Sequence, residues 1–279
     1  MGAESRYEAL FEKIKPLDEL TLMDDYMFAA VMSEEENLKP LIERILGIAV
    51  GRIEFIEHER TEKEGYVSRG VRLDLYVQDE DGQVFNVEVQ TSDKKNLPKR
   101  MRYYQSVVDV NILAPGVDYR DLQKSAIIFI CNYDPYGFGR FVYSFENRCM
   151  DDLGLAFGDE SLKVIASTKG ETGNASDELK GLLRYLGGAA PMDEYTRQLD
   201  RAVSRVKASE ERRHEYMVGM IHDMEVRAEG VEQGRWSTIL DLASRGIITS
   251  EEAAAELGVE IGDVIRMLAE APAATSPPA

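Results

Sequence analysis

The stretch VRLDLYVQDEDGQVFNVEVQ, residues 71–90, decides the fold of this chain. It holds two runs in which apolar and polar side chains alternate, with turn-forming residues between them, and this pattern predicts a β-hairpin. Successive side chains of a strand point to opposite faces, which gives each strand one apolar and one polar face. The polar face carries Arg72, Asp74, Tyr76 and Gln78 from the first strand and Asn86, Glu88 and Gln90 from the second.

The alternation also predicts the register of the hairpin. Directly opposed residues of an antiparallel pair lie on the same face, so their residue numbers must add up to an even number. A two-residue turn, Asp81-Gly82, gives an odd sum and would set Asp74 against Val89. A three-residue turn, 80–82, gives an even sum and puts Gly82 where a positive φ is needed. We therefore expect Asp74 to face Glu88.

The polar face of the hairpin predicts a metal-dependent catalytic site. Two carboxylates that face each other repel unless a cation lies between them, and oxygen ligands suit Mg²⁺ or Mn²⁺. Asp74 and Glu88 would be the metal ligands, and Gln90, two residues further along the same face, would orient an attacking water. The hairpin alone is equally compatible with an alternative in which this face is the solvated side of an antiparallel sheet.

The elements around the hairpin indicate an α/β domain over roughly residues 20–150. Hydrophobic periodicity predicts a helix at 34–47 and a strand at 52–59 before the hairpin, and a helix at 98–113 with strands at 125–132 and 139–145 after it. Beyond these we expect a strand at 162–167, a helix at 176–186, a long polar helix from about 192 to 230, and a helical pair from Trp236 to Ala271.

The charge of the chain is a moderate argument against binding to DNA, because its formal net charge is −18. The stretch 94–102, KKNLPKRMR, nevertheless holds five basic residues and no acidic one. The helix at 98–113 brings Lys99, Arg102 and Tyr103 near one another, and we expect them to contact phosphates. The alternative is a solvated helix face with Tyr103 or Tyr104 packed in the core.

Several segments together resemble the PD-(D/E)XK nuclease family transposases, also called recombination-promoting nucleases (the Rpn family). They are DDYMF (24–28), RLDLYVQDEDGQVFNVEVQ (72–90), KRMRYYQSVV (99–108), PGVDY (115–119) and AIIFICNYDPYGFG (126–139). The resemblance implies an α/β fold with a restriction-endonuclease-like αβββαβ core and a mixed sheet. It also implies Mg²⁺-dependent (or Mn²⁺-dependent) cleavage of DNA, linked to recombination or transposition.

The same resemblance implies roles for individual residues, and the order of elements and the composition of the chain predict its domain division. Asp74 and Glu88 would bind the metal, and Gln90 would stand where the wider superfamily has a lysine. A neutral amide cannot stabilise negative charge as a lysine does, so a slow nuclease is expected. The expected division is an N-terminal segment (1–19), a nuclease-like domain (20–170), a helical C-terminal extension (171–271) and a disordered tail (272–279).

Other candidate residues carry weaker signals. Some members of the superfamily use an acid of the first helix as a further ligand, which draws attention to Asp25 and Glu43, although an ordinary surface position is favoured for Glu43. The histidines and cysteines lack the spacing of a metal or nucleophile site, and we expect them to be structural or exposed. They are His58, His214, His222, Cys131 and Cys149.

The C-terminal segment 249–268 has the pattern of a helix-turn-helix, with Thr249 or Ser250 as a cap and Gly258 at the turn. Its second helix offers a single arginine, Arg266, so a packing or oligomerisation module is favoured over a reader of the major groove. A homodimer through the C-terminal helices is compatible with this. Because no apolar run of membrane-spanning length and no secretory signal occurs, we expect a cytoplasmic protein without a membrane partner.

Two further functional classes stay open from the sequence. One is a catalytically inactive relative that keeps the nuclease fold and binds nucleic acid. The other is an acidic helical interaction protein that merely retains the fold. Cleavage of DNA would separate the enzyme from both, and retention of DNA would separate the two alternatives from each other.

Overall fold

The computed structural model describes residues 14–62 and 71–270, which form six strands and eight α-helices. The strands are β1 (Ile53–Glu62), β2 (Val71–Asp79), β3 (Val84–Gln90), β4 (Ser125–Cys131), β5 (Val142–Phe145) and β6 (Ser161–Ser167). The helices are α1 (Asp25–Met32), α2 (Glu35–Leu46), α3 (Leu97–Ile112), α4 (Asp177–Leu186), α5 (Glu194–Ala208), α6 (Glu210–Ser244), α7 (Ser250–Leu257) and α8 (Ile261–Glu270).

The hairpin of β2 and β3 has the predicted register. Leu75 pairs with Val87, so continuation of the ladder sets residue 74 opposite residue 88. The turn has three residues and ends at Gly82, whose φ is 78°. The buried carboxylate of Asp79 holds the turn, because its Oδ1 accepts the backbone N–H of Gln83 at 2.9 Å. The prediction drawn from the alternation pattern is confirmed.

The six strands form one mixed sheet in the order β1-β2-β3-β4-β6-β5. β1, β2 and β3 are successively antiparallel, whereas β3, β4 and β6 run parallel, and β5 lies antiparallel to β6. The last residues of the three parallel strands, Gln90, Cys131 and Ser167, are therefore aligned. We call this end of the sheet the carboxyl edge, and the end at Val84, Ser125 and Ser161 the amino edge.

Helix α3 covers the polar face of the hairpin. Its residues Met101, Tyr104 and Val108 share a buried apolar cluster with Phe129 of β4, which is paired with Glu88. Asn86 and Glu88 are both 0% exposed. The alternative of a solvated polar face is thus wrong. Parallel strands need a crossover connection, and the crossover between β3 and β4 is α3 itself, which packs on this face.

The opposite face of the hairpin is also buried. It carries Leu75, Val77, Phe85 and Val87, which are at most 2% exposed. Helix α1 contacts β2 and packs with α2 and α5, while α4 packs with α2 and α5. The periodicity did not predict α1, because its eight residues are apolar on most sides and offer no clear stripe.

The predicted helix at 192–230 is two helices in the structure. Ser209 separates α5 from α6 and adopts an extended conformation, with φ −84° and ψ 119°. Its hydroxyl accepts the backbone N–H of Arg212 at 3.2 Å, which caps the start of α6. Local hydrogen bonding by a serine therefore interrupts a continuous helical pattern.

The chain divides into two compact units, one of which is Lys15–Arg213 and contains the sheet with α1 to α5. The described part of the other unit is residue 14 and residues 214–270. There α7 and α8 form an apolar cluster with Trp236 and neighbouring residues of α6. Thr249 caps α7, and Arg266 is paired with Asp263. Within the described ranges, no helix combines the length and the apolar character that crossing a membrane requires.

Candidate active site

The two carboxylates predicted as metal ligands lie beside each other on β2 and β3. The backbone N–H of Asp74 donates to Oε1 of Glu88 at 2.9 Å, and the backbone N–H of Val89 donates to Oδ2 of Asp74 at 3.3 Å. The side chain of Asp74 is half-buried, and that of Glu88 is fully buried. The hairpin register thus brings together one accessible and one buried carboxylate.

Glu88 is a carboxylate in an unfavourable place for negative charge. Burial, followed by the negative charge of Asp74, raises the pKa of Glu88 to about 8. Three donors oppose that rise: the backbone of Asp74, the guanidinium of Arg100 at 2.9 Å and the Nδ2 of Asn86 at 3.2 Å. A proton or a cation at this position would relieve the repulsion between the two acids.

Arg100 lies beside the two carboxylates, and the sequence patterns did not single it out. Its Nη2 donates to Glu88 Oε2 and its Nη1 donates to Oε1 of Gln90 at 2.5 Å. Its Nε donates to the hydroxyl of Tyr104 at 2.8 Å, and its Cζ lies 4.9 Å from the centre of the Tyr104 ring and 5.0 Å from that of Phe129. The guanidinium is thus fixed beside the carboxylates by hydrogen bonds and by two aromatic rings.

The electrostatic environment keeps Arg100 charged. Burial works against the charge, but Tyr104 and then the carboxylate of Glu88 outweigh it, so the pKa of Arg100 is raised. A signal for this role was present in the helical spacing. Leu97, Met101 and Tyr104 mark the buried face of α3, and Arg100 lies on that face rather than on the solvated one.

Gln90 contacts Arg100 in this structure. Its Oε1 accepts from the guanidinium, while its Nε2 donates to the backbone oxygen of Ser92 at 2.8 Å and to the hydroxyl of Ser92 at 3.2 Å. The amide is therefore a link between the end of β3 and Arg100. Its expected role in orienting a water stays a prediction.

The predicted phosphate-binding residues lie on the other side of α3. Lys99 and Arg102 are exposed, and Tyr103 is 40% exposed. No hydrogen bond or ion pair of the described chain connects Lys99 or Arg102 to the hairpin carboxylates. The structure brings Asp74, Glu88 and Gln90 together with Arg100, and leaves this second group facing the solvent.

The remaining candidates occupy structural or surface positions. Glu43 accepts the backbone N–H of Val50 at 3.0 Å and so fastens the chain after α2, while Asp25 is exposed at the start of α1. His214 and His222 are exposed on α6, and the side chain of His58 lies outside the described residues. Both cysteines are free thiols, Cys131 buried and Cys149 half-buried.

The donor chemistry at the hairpin fits a hard divalent cation. Over residues 14–62 and 71–270, no three or more His, Cys, Asp or Glu side chains are grouped to hold a metal. The two carboxylates have instead a buried amide beside them, because Oδ1 of Asn86 is an acceptor that lacks a hydrogen-bond partner among the described residues. Oxygen ligands in small number suit Mg²⁺ and Mn²⁺, which retain several waters.

Comparison with known proteins matches this hairpin to a family model. A family model described as PD-(D/E)XK nuclease family transposase matches residues 22–138, a range that runs from the turn before α1 to the loop after β4. The resemblance drawn from the sequence segments is thereby confirmed. No curated protein and no solved structure gives a significant match.

Proposed function

We propose that this chain is a metal-dependent endonuclease that hydrolyses phosphodiester bonds of DNA. Its residues 22–138 match the model of the PD-(D/E)XK nuclease family transposases. The observation that carries the proposal is the pairing of a half-buried carboxylate, Asp74, with a fully buried one, Glu88, beneath a helix that supplies one arginine. Buried like charges cost stability, and a cation site explains why the fold retains them. The association with recombination or transposition comes from the family.

Asp74 and Glu88 would hold the metal, Mg²⁺ or Mn²⁺, with Asn86 as the nearest further oxygen donor. When bound there, such an ion supplies Lewis-acid polarisation of the phosphodiester and lowers the pKa of a coordinated water. The half-buried Asp74 is the more accessible of the two carboxylates and would be the one that solvent and substrate reach. Glu88, enclosed by α3, keeps its orientation through three hydrogen bonds.

Arg100 would supply the positive charge that a lysine provides in the wider superfamily. A guanidinium has five N–H donors, of which three donate to Glu88, Gln90 and Tyr104. The other two would be available to a phosphate oxygen, to which a guanidinium binds in a bidentate geometry. Gln90 would hold the guanidinium through its amide oxygen, in addition to its predicted role in orienting the attacking water.

The decisive experiment is a plasmid-nicking assay with Mg²⁺ or Mn²⁺. Glu88→Gln removes the charge of a ligand and keeps its shape, and Asp81→Asn is the matched control, since Asp81 is an exposed acid in the turn of the same hairpin. We expect the wild type and Asp81→Asn to nick equally, and EDTA to stop both. Glu88→Gln should lose more than the about 10–100-fold that typically follows removal of an outer-shell partner.

The same assay separates the competing functions. Equal nicking by the wild type and Glu88→Gln would refute the assignment of the site. A wild type that never nicks but retains DNA in a salt-dependent manner would be an inactive nuclease fold that binds nucleic acid. A wild type that does neither would be an interaction protein.

A further inference from the structure

The loop that follows β4, residues 132–140, lies at the same edge of the sheet as the proposed site. Cys131 ends β4 and is paired with Gln90, which ends β3. The backbone N–H of Asn132 donates to the carbonyl of Gln90 at 3.2 Å, so the loop starts directly beside the strand of the site. Any DNA strand that reaches Asp74 across the carboxyl edge has this loop as a neighbour.

The loop is held in one conformation by a carboxylate at its centre. Asp134 accepts the backbone N–H of Gly139 at 2.6 Å, that of Tyr136 at 3.1 Å, and the hydroxyl of Tyr143 at 2.7 Å. Phe138 lies between two glycines, Gly137 with φ 73° and Gly139 with φ 68°. These left-handed conformations suit glycine and make a tight bend that leads Phe138 outward.

A second set of contacts fastens the loop to the turn after β6. The carbonyl of Gly139 accepts the backbone N–H groups of Glu171 and Thr172, each at 2.8 Å. Gly170 packs so closely against the chain that a Cβ there would lie 2.4 Å from the Cα of Phe141. A loop tied at both ends needs no further ordering to bind a ligand, which lowers the entropic cost of binding.

This ordered loop presents an aromatic ring to solvent. Phe138 is 72% exposed, whereas its neighbour Tyr136 packs against Tyr143 with tilted rings whose centres are 4.9 Å apart. Arg140 in the loop and Lys169 in the turn after β6 are exposed cations that pair with no acid of the described chain, beside the exposed Glu171. Aromatic rings next to cations on a stable framework are how proteins bind unpaired bases of single strands.

We propose that loop 132–140 is a second DNA contact in which the ring of Phe138 stacks on an unpaired base of the strand being cut. The inference rests on the proposed nuclease function and narrows its substrate to DNA with unstacked bases near the cleaved bond. Neighbouring strands are about 4.8 Å apart, so a loop attached to β4 and β6 lies about 5–10 Å from β3. A DNA strand covers this distance with about two or three nucleotides, at about 3.4 Å each.

The test uses Phe138→Ala with Phe157→Ala as the matched control. Phe157 is 75% exposed, in the segment that joins β5 to β6 at the amino edge, so it offers the same ring at the wrong end of the sheet. Binding of a labelled single strand and of the matching duplex is measured by fluorescence anisotropy in EDTA. We expect Phe138→Ala to weaken single-strand binding about 5- to 150-fold, the range of base–aromatic stacking, and to leave duplex binding unchanged. Phe157→Ala should change neither.

A spectroscopic readout separates stacking from a merely structural role. The chain has one tryptophan, Trp236, so Phe138→Trp adds one indole on that constant background. An oligothymidine should quench the added emission, and Phe157→Trp should show no quenching.

Single-strand affinity that is unchanged in Phe138→Ala would overturn this inference alone, as would equal losses for single strand and duplex. A wild type that binds no DNA in EDTA and does not nick DNA with Mg²⁺ or Mn²⁺ would overturn the proposed function, and this inference with it.

Discussion

The two faces of the β2–β3 hairpin are both buried, but they contribute oppositely to stability. The apolar face, with Leu75, Val77, Phe85 and Val87, stabilises the fold because apolar surface leaves water. The polar face buries Glu88 beside Asp74 and must compensate for lost hydration with Arg100 and Asn86. Substitutions on the first face should lower stability, whereas those on the second should chiefly lower activity.

The largest effect on stability is expected at Phe85, which is 2% exposed on the apolar face. Phe85→Ala removes a packed ring and leaves a cavity, so the free energy of unfolding should fall by about 3–5 kcal/mol. Urea denaturation measures it. Phe145→Ala is the control, because Phe145 is 41% exposed on β5 and should cost far less. Similar losses from both would mean that the apolar face is not the packed one.

Substitution of Arg100 tests whether its charge compensates for the burial of Glu88 on the polar face. Above pH about 8, where Glu88 is ionised, Arg100→Leu leaves the buried carboxylate without its counter-charge. The substitution should cost about 2 kcal/mol there, less than the about 3–5 kcal/mol for a fully buried pair, since the Arg100 side chain is 31% exposed. Adding Glu88→Gln to Arg100→Leu should recover much of the loss, as a double-mutant cycle would show. Arg102→Leu, on the exposed face of α3, is the control. Strictly additive effects would contradict a coupling between Arg100 and Glu88.

The raised pKa of Glu88 predicts how stability depends on pH. Without metal, the folded protein holds a proton on Glu88 up to pH about 8, while the unfolded chain releases it near the ordinary carboxyl value. The folded state binds more protons in this window, so stability falls as the pH rises. Relative to Glu88→Gln, the wild type should therefore lose stability steadily between about pH 5 and pH 8.

Thermal unfolding at a series of pH values gives the measurement for both proteins. At pH 8, Mg²⁺ or Mn²⁺ should restore stability to the wild type and not to Glu88→Gln, because a ligand that binds the folded state stabilises it. Parallel pH profiles for the two proteins would show that the pKa of Glu88 is not raised by its surroundings.

The fold around the hairpin could be predicted because its signals are local. A shift of one residue would move every side chain of a strand to the other face, so the alternation is enough to specify the pairing of Leu75 with Val87. The burial of the polar face could not be predicted from the alternation pattern. It follows from the packing of α3 against β4, and an antiparallel hairpin by itself allows either a wet or a covered face.

Only part of the candidate site could be predicted from local patterns. Asp74 and Glu88 followed from strand periodicity, but the choice of arginine depended on the rotation of α3 about its axis. Lys99, Arg100 and Arg102 are close in sequence, and a helix turns 100° per residue, so only one of them faces β3. The spacing of the buried residues of α3 sets that phase, and it selects Arg100.

The smallest effect on stability is expected at the turn between β2 and β3. Gly82 has φ 78°, and a Cβ there would lie 3.0 Å from Oε1 of Gln123. Gly82→Ala should therefore cost about 1 kcal/mol of unfolding free energy. Gly116→Ala is the control for strain without crowding, because Gly116 has φ 86° and nothing within 4 Å of a Cβ.

The register should survive Gly82→Ala, because a slip would be far more costly than the strain. A shift by one residue would turn Asp74 toward the apolar face and Leu75 toward Glu88, which buries a charge without partners. The variant should thus lose stability and keep its nuclease activity, as urea denaturation and plasmid nicking would show together. A folded Gly82→Ala protein without activity would mean that the turn, rather than the burial pattern, holds Asp74 opposite Glu88.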